Sequence, residues 1–259
     1  MENLLEIKNL TVKNNEDNEL LRSINLALKK DTVNVLIGES GSGKSLTAQA
    51  IVQQLPPTLR MQFDELIYNQ KPAHDISTKL GSEIGFITQD YTHSFNQHTK
   101  IGKQLIAIYR THRNVDKATA VREIEQWLKS VELKPSQIMH RYRFNLSGGQ
   151  LARVQIASVL MLKPSLIISD EPTASLDVIN GVQVMNLIKQ LAENHGVTLL
   201  LITHNLSQVL NFCDWINVIQ HGTIVDTNHI TAFKKGHIHP YSAQLFNARS
   251  QLRKGNAYD

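Results

Sequence analysis

Apolar and polar residues alternate along "LLEIKNLTV" (4–12), the pattern of an antiparallel edge strand with one wetted face. "TVNVLIG" (32–38) breaks that rhythm with a nearly continuous apolar run ending at a glycine, as a central strand buried on both faces does. The next stretch, "LTAQAIVQQL", has helix-forming composition and is predicted to run until Pro56 and Pro57 stop it. "EIGFITQ" (83–89), "SLIISDE" (165–171) and "TLLLITH" (198–204) read as further buried strands carrying polar residues at their C-terminal ends. Parallel pairing would gather those ends on one side of a sheet. Between Gln89 and Pro164 the period changes: Val121, Ile124, Leu128 and Val131 recur at steps of three and four, predicting an amphipathic helix in a helical insertion. The sequence therefore predicts an α/β fold in one domain, with a mainly parallel core sheet and an antiparallel β edge. Its expected parts are a core over 1–89 and 164–235, a helical subdomain over 90–163 and a C-terminal extension over 236–259. The polar, basic tail "NARSQLRKGNAYD" is expected to fray.

A chain of 259 residues with 41% apolar content can bury a sizeable core. No run approaches the roughly 20 apolar residues of a membrane span. "MENLLEIKNLTV" has neither the basic start nor the apolar stretch of a signal peptide, so a cytosolic protein is expected. A single cysteine, Cys213, excludes an internal disulfide framework and a metal site built from several thiolates, and in "NFCDW" it is expected as a reduced, packed thiol. The excess of 27 Lys and Arg over 23 Asp and Glu gives a net charge of +4. That balance suits a polyanionic ligand or an anionic membrane surface, but ordinary solvated faces as well, so charge does not discriminate.

The phosphate chemistry is more specific. Gly38, Gly41, Gly43, Lys44 and Ser45 in "GESGSGKS" satisfy the P-loop spacing between a predicted strand and a predicted helix. The intervening Glu39, Ser40 and Ser42, and Leu46 after the motif, belong to the same expected nucleotide cradle. Its backbone N–H groups would surround the β- and γ-phosphates, Lys44 would add a point charge, and Ser45 would offer a hydroxyl to Mg²⁺. Later, "LIISDEP" presents Asp170 and Glu171 on consecutive positions, whose side chains diverge if the backbone there is extended. Asp170 is then the expected Mg²⁺ ligand and Glu171 the group that orients and deprotonates the attacking water. A second serine-glycine turn, Ser147, Gly148, Gly149 and Gln150 in "NLSGGQLARV", precedes another helix; its backbone donors suit an anion, with a plain helix cap as the alternative.

In this order, "GESGSGKS", "FITQD", "LSGGQ", "LIISDEP", "ASLD" and "LLITHN" resemble the nucleotide-binding subunits of ABC transporters. The resemblance spans nearly the whole chain and implies further roles. Gln89 would contact Mg²⁺ and the attacking water and sense the membrane subunit, His204 would touch the γ-phosphate, and Asp177 would face a partner subunit. Ser147, Gly148, Gly149 and Gln150 would close on ATP held by the partner's P-loop, so that two half-sites become whole on association.

"GESGSGKSLTAQAIVQQLPP", with "GTIVD" and "HIHPYSAQL", narrows the resemblance to the peptide and nickel importer branch, and "SFNQHTKIGKQLIAIYR" and "LSGGQLARVQIASVLMLKP" narrow it within that branch to the D-type ATPases of nickel systems. That branch implies a paralogous E-type ATPase partner, two transmembrane permease subunits, an extracellular substrate-binding lipoprotein, and a position on the cytoplasmic face of the membrane. Nickel uptake, free or chelated, is the expected task, with oligopeptide or metal-opine import as the alternative. A soluble ABC-type ATPase acting on ribosomes or DNA would need tandem domains or long coiled coils, which this length does not hold. An idle structural subunit conflicts with the intact Lys44, Asp170 and Glu171, and no nucleic-acid partner is expected. His237 and His239 suit nickel chemically, but in this branch the metal travels through the membrane subunits, so no metal role is expected for them. Asn14 stands where the family carries an aromatic that stacks on adenine. Ser169 and Ala152 replace a more usual apolar residue and glutamine, and neither removes a catalytic group.

Overall fold

The expected apolar runs do form strands in the computed structural model, which describes residues 2–91, 93–204, 209, 210 and 212–255. The chain divides into two compact units: Met1–Thr78 together with Thr198–Asp259, and Lys79–Val197. Among the described residues no helix is long and apolar enough to cross a membrane.

In the first unit, Asn3–Asn14 does not lie at an edge. It pairs antiparallel with Glu19–Lys29 on one side and with Leu59–Gln62 and Glu65–Tyr68 on the other. The alternation that suggested an edge is interrupted by bulges, one near Asn9, where φ is 52°, and Leu4 and Leu5 are both buried. A strand paired on both sides and packed on one face needs fewer polar positions than a free edge.

The second sheet segment of this unit carries the glycine-rich loop. Val33–Ile37 is buried throughout and lies parallel to both Thr198–Ile202 and Trp215–Gln220, the latter pairing antiparallel with Thr223–His229. One polar residue, Asn34, sits in this apolar strand without exposure. Its side chain accepts from Lys29 N–H (2.9 Å) and donates to Lys29 O (3.0 Å), so its burial is satisfied. The helix after the loop spans Lys44–Ile51 and stops short of Pro56. Gln53 turns left-handed at φ 56°, and Gln54 N–H closes onto Gln49 O at 2.8 Å, so the chain leaves the helix before proline compels it.

The segment expected to fray is helical as far as Gly255. A helix spans Pro240–Gly255, with residues 256–259 outside the described set. Buried Asp226 accepts His239 N–H at 2.8 Å and the fully buried Ser242 hydroxyl at 2.7 Å, and His239 Nδ1 accepts Tyr241 N–H at 3.2 Å. Pro240 opens the helix where its missing N–H costs nothing.

In the second unit, Ile84–Ile87 pairs parallel with Leu166–Asp170. Helices span Ile101–His112, Lys117–Ser130, Pro135–Ile138, Gly148–Leu160 and Val178–Asn194. Of the predicted stripe, Ile124, Leu128 and Val131 are buried and Val121 is half-buried, with Ala120 and Trp127 joining the buried face. Trp127 packs against His195 with ring centroids 4.8 Å apart and planes tilted by 48°. Cys213, in the first unit, is buried as expected.

Candidate nucleotide-binding site

The P-loop leaves the C-terminal end of Val33–Ile37 and folds back over it. A Cβ on Gly38 would lie 2.3 Å from Ile219 O and 2.6 Å from Ser42 Oγ, so only glycine fits there. Gly43, at φ 108°, starts the helix with no side-chain cap. Lys44, Ser45 and Leu46 form the first turn, the place where helix N–H groups point outward along the axis. Gly222 N–H holds Ser42 O at 2.9 Å and fixes the loop to the Trp215–His229 hairpin. Lys44 is buried, and its Nζ donates to Gly38 O (3.0 Å) and Glu39 O (2.8 Å), so the ammonium lies across the loop it would serve. Ser42 Oγ is buried without a hydrogen-bond partner and faces the same cradle. Ser45 is exposed at the helix start, as are Glu39, Ser40 and Gly41 on the loop. Tyr241, from the C-terminal helix, approaches Glu39, and burial together with that charge raises its hydroxyl above the usual phenol range.

His204 follows the neighbouring strand, Thr198–Ile202, whose Ile202 is in register with Leu36. It is thus exposed beyond the same C-terminal strand edge as the P-loop, the edge at which parallel sheets place ligands. Asn205 of "LLITHN" lies outside the described residues. Asn14 does not replace the adenine-stacking aromatic: its Oδ1 accepts from the N–H groups of Glu16 (3.0 Å) and Asn18 (2.9 Å) and closes a turn.

The second unit repeats this logic on its own strands. Ile87 is in register with Ser169, so Gln89 and Glu171 each lie two residues beyond paired positions on adjacent parallel strands. Asp170 ends its strand and is buried. The backbone is not extended at the next residue. Glu171 has φ 44°, a left-handed conformation that a residue with a side chain seldom adopts. Strand alternation therefore stops at Asp170, and such strained turns concentrate at functional positions. Ser169, beneath them, is fully buried with its hydroxyl unpaired.

The capping reading of Ser147 is the one its bonds show. Its hydroxyl accepts Gln150 N–H at 3.3 Å while Gln150 Oε1 accepts Ser147 N–H at 3.2 Å, a reciprocal capping box on Gly148–Leu160. Neither bond uses the N–H of Gly148 or Gly149, which remain to point at an anion. The neighbouring helix starts at the same place: Asp177 caps Val178–Asn194 by accepting Asn180 N–H at 3.0 Å, and Asn180 lies 3.2 Å from where a Gly149 Cβ would be. That backbone hydrogen bond, with the Asn180 side chain adding to it, holds the Asp177 carboxyl below its ordinary range. Beside it Val178 and Ile179 are 79% and 73% exposed, and Phe144, just before the serine-glycine turn, is 69% exposed.

One group of site residues had no sequence signal. Buried Gln155, on the Gly148–Leu160 helix, donates to Thr88 Oγ1 (3.1 Å) and Ser94 Oγ (2.8 Å) on either side of Gln89, and Ser175 Oγ donates to Gln89 O at 3.2 Å. Tyr91, in the same loop, is buried, and burial pushes its hydroxyl up to about 12. A polar residue inside a helix reads as solvated unless its contacts are known.

A P-loop strand, a buried aspartate followed by a strained glutamate, and a serine-glycine helix start together define an ATP-binding cassette, and comparison with known proteins agrees. The chain belongs to the ABC transporter family, whose sequence profile matches residues 21–174, and is an ATP-hydrolysing subunit of that class. Among curated relatives, the nickel import system ATP-binding protein NikD of Staphylococcus aureus strain bovine RF122 / ET3-1 is 47% identical over 251 residues, 97% of this chain and 98% of that protein. NikD of strain MRSA252 matches to the same extent. Among solved structures, cbiO1 from Clostridium perfringens, part of the ABC transporter complex cbiONQ, superposes with a TM-score of 0.78 at 22% identity, covering 100% of this chain and 96% of that one. A dimeric bacterial ABC transporter cassette gives 0.74 at 25% identity, covering 87% of this chain and 98% of its own.

Proposed function

We propose that this chain is the ATPase of a nickel importer. The observation that carries the reading is the 47% identity to nickel import ATP-binding proteins along essentially the full length of both chains. In this reading the whole chain works as one cassette on the cytoplasmic face of the membrane. It pairs with a paralogous E-type ATPase beneath two transmembrane permease subunits that a substrate-binding lipoprotein feeds. The exposed Val178, Ile179 and Phe144 around the serine-glycine turn support such a partner, because apolar side chains at a helix start gain by being covered.

Within the cassette, the first-turn N–H groups of Lys44, Ser45 and Leu46, with the Gly38–Gly43 turn, bind the ATP phosphates. Lys44 exchanges its bonds to Gly38 O and Glu39 O for phosphate oxygens. Ser45 and Asp170 supply the hard oxygen donors that suit Mg²⁺, with Gln89 reaching it partly through water. When bound, that ion neutralises charge on the phosphate oxygens. Glu171 orients the attacking water and takes its proton, and His204 steadies the γ-phosphate. Ser147, Gly148, Gly149 and Gln150, with Asp177 beside them, meet the ATP held by the partner.

The test is radiolabelled Ni²⁺ and dipeptide uptake in cells lacking only this gene, complemented with the parent or with Glu171→Gln. Nickel uptake restored by the parent alone, with dipeptide uptake unaffected throughout, is the expected result. Loss of dipeptide uptake with nickel uptake intact would overturn the substrate assignment. Full nickel uptake by Glu171→Gln would overturn the role of Glu171.

A further inference from the structure

We infer that Gln155 is a positioning residue that ties the helix starting at Ser147 to the loop carrying Gln89. The inference rests on the proposed role of Gln89 and goes beyond it by naming what holds that residue in place.

The bonding closes by counting hydrogens. The Gln155 amide has two N–H groups, one donated to Thr88 Oγ1 and one to Ser94 Oγ. Each of those hydroxyls has one hydrogen and lies 3.2 Å from Asp90 O, with the two oxygens 3.3 Å apart. Two bonds thus meet at the carbonyl next to Gln89, and the two from Gln155 hold their donors in place. The Gln89 carbonyl itself accepts from Ser175 Oγ at 3.2 Å, two residues before Asp177. Both carbonyls of the Gln89–Asp90 pair are held by elements that carry the proposed partner-facing residues, the Gly148–Leu160 helix and the segment ending at Asp177.

Gln155 is 4% exposed, and its Oε1 is buried with no protein donor. An amide kept in a helix core with half its hydrogen-bonding capacity unused is costly for packing alone, and an apolar residue of equal volume would fill the site better. What the amide adds is the pair of N–H groups aimed at the loop. Gln155 lies eight residues after Ser147 on one continuous helix, about 12 Å along its axis at ~1.5 Å per residue. A helix of this length moves as a strut. Displacement of its N-terminus on meeting a partner's phosphate is transmitted to Thr88 and Ser94, and so to Gln89.

The test uses the whole importer in membrane vesicles and compares Gln155→Met, Thr88→Val, the pair together, and Gln89→Ala. Gln155→Met keeps volume, removes the orphaned carbonyl and leaves both hydroxyls donating to Asp90 O, so the melting temperature is expected to stay level or rise. Losing two oriented bonds in the reacting state is expected to lower kcat for ATP roughly tenfold, with KM within about twofold. Thr88→Val is expected to show a similar drop, and the double variant no further drop, because both act on one network. A Gln155→Met kcat within about twofold of the parent, while Gln89→Ala is strongly impaired, would overturn this inference alone. Gln89→Ala hydrolysing ATP and transporting normally would overturn the reading of Gln89 itself. A Gln155→Met kcat that falls only in step with a lowered melting temperature would make Gln155 a packing residue and also overturn the inference.

Discussion

Ser147 has two jobs in this account, capping its own helix and meeting the partner's ATP, and substitution can separate them. Its capping is visible as the reciprocal bonds with Gln150 at 3.3 and 3.2 Å. Ser147→Ala removes the side-chain acceptor, and such a loss costs ~1 kcal/mol. For a chain of this size that corresponds to a melting temperature lower by about 2–4 °C. Ser147→Asp keeps the cap, since aspartate ranks with serine there and its charge also suits a helix N-terminus. It would, however, put a carboxylate where a partner's phosphates are expected. Two unit charges ~4 Å apart at an effective dielectric of ~20 repel by ~4 kcal/mol, enough to suppress productive closure by about three orders of magnitude. The assay pairs thermal unfolding of the isolated subunit with steady-state ATPase of the two-ATPase complex. The expected pattern is a stable but inactive Ser147→Asp and a less stable, partly active Ser147→Ala. Full activity in Ser147→Asp would refute the placement of this turn against phosphate, and an equal loss of stability in both variants would refute the capping argument.

Ser169→Ala removes a hydroxyl that is fully buried and unpaired, so urea unfolding is expected to show a change between none and a gain of ~1 kcal/mol; a clear loss would mean the hydroxyl has a partner. The Asp177 carboxyl is lowered chiefly by Asn180 N–H, so its capping contribution is fully present above the unfolded carboxylate range near ~4 and is lost as pH falls through the lower folded value. The amide resonances of Val178–Asn180 are therefore expected to shift only in strong acid, and Asp177→Asn, which keeps an acceptor but cannot titrate, is expected to abolish that transition.

Much of the site was legible in the chain because its parts are local. The P-loop is a strand, a turn and a helix start in one contiguous stretch, and its geometry follows from the glycines and the missing cap at Gly43. The Asp170–Glu171 pair was legible as chemistry but not as conformation: the expectation of divergence along an extended strand gave way to a left-handed turn at Glu171. The place of Asn3–Asn14 in its sheet was misjudged because alternation reports how many faces are wet, not how many edges are paired. The tail looked unstructured because its anchor, Asp226, lies on a strand thirteen residues before His239.

The sequence by itself determined the class of protein and the local turns and strand ends that carry the proposed phosphate cradle, carboxylates and second serine-glycine turn, since each depends on residues within a few positions of one another. Tertiary structure decided how those pieces are held. Gln155 reaches Thr88 across 67 positions, Ser175 reaches Gln89 across 86, and Asp226 fixes the C-terminal helix. Such bonds join residues that no periodicity or spacing relates. They form only where the packed chain brings a donor within reach of an acceptor.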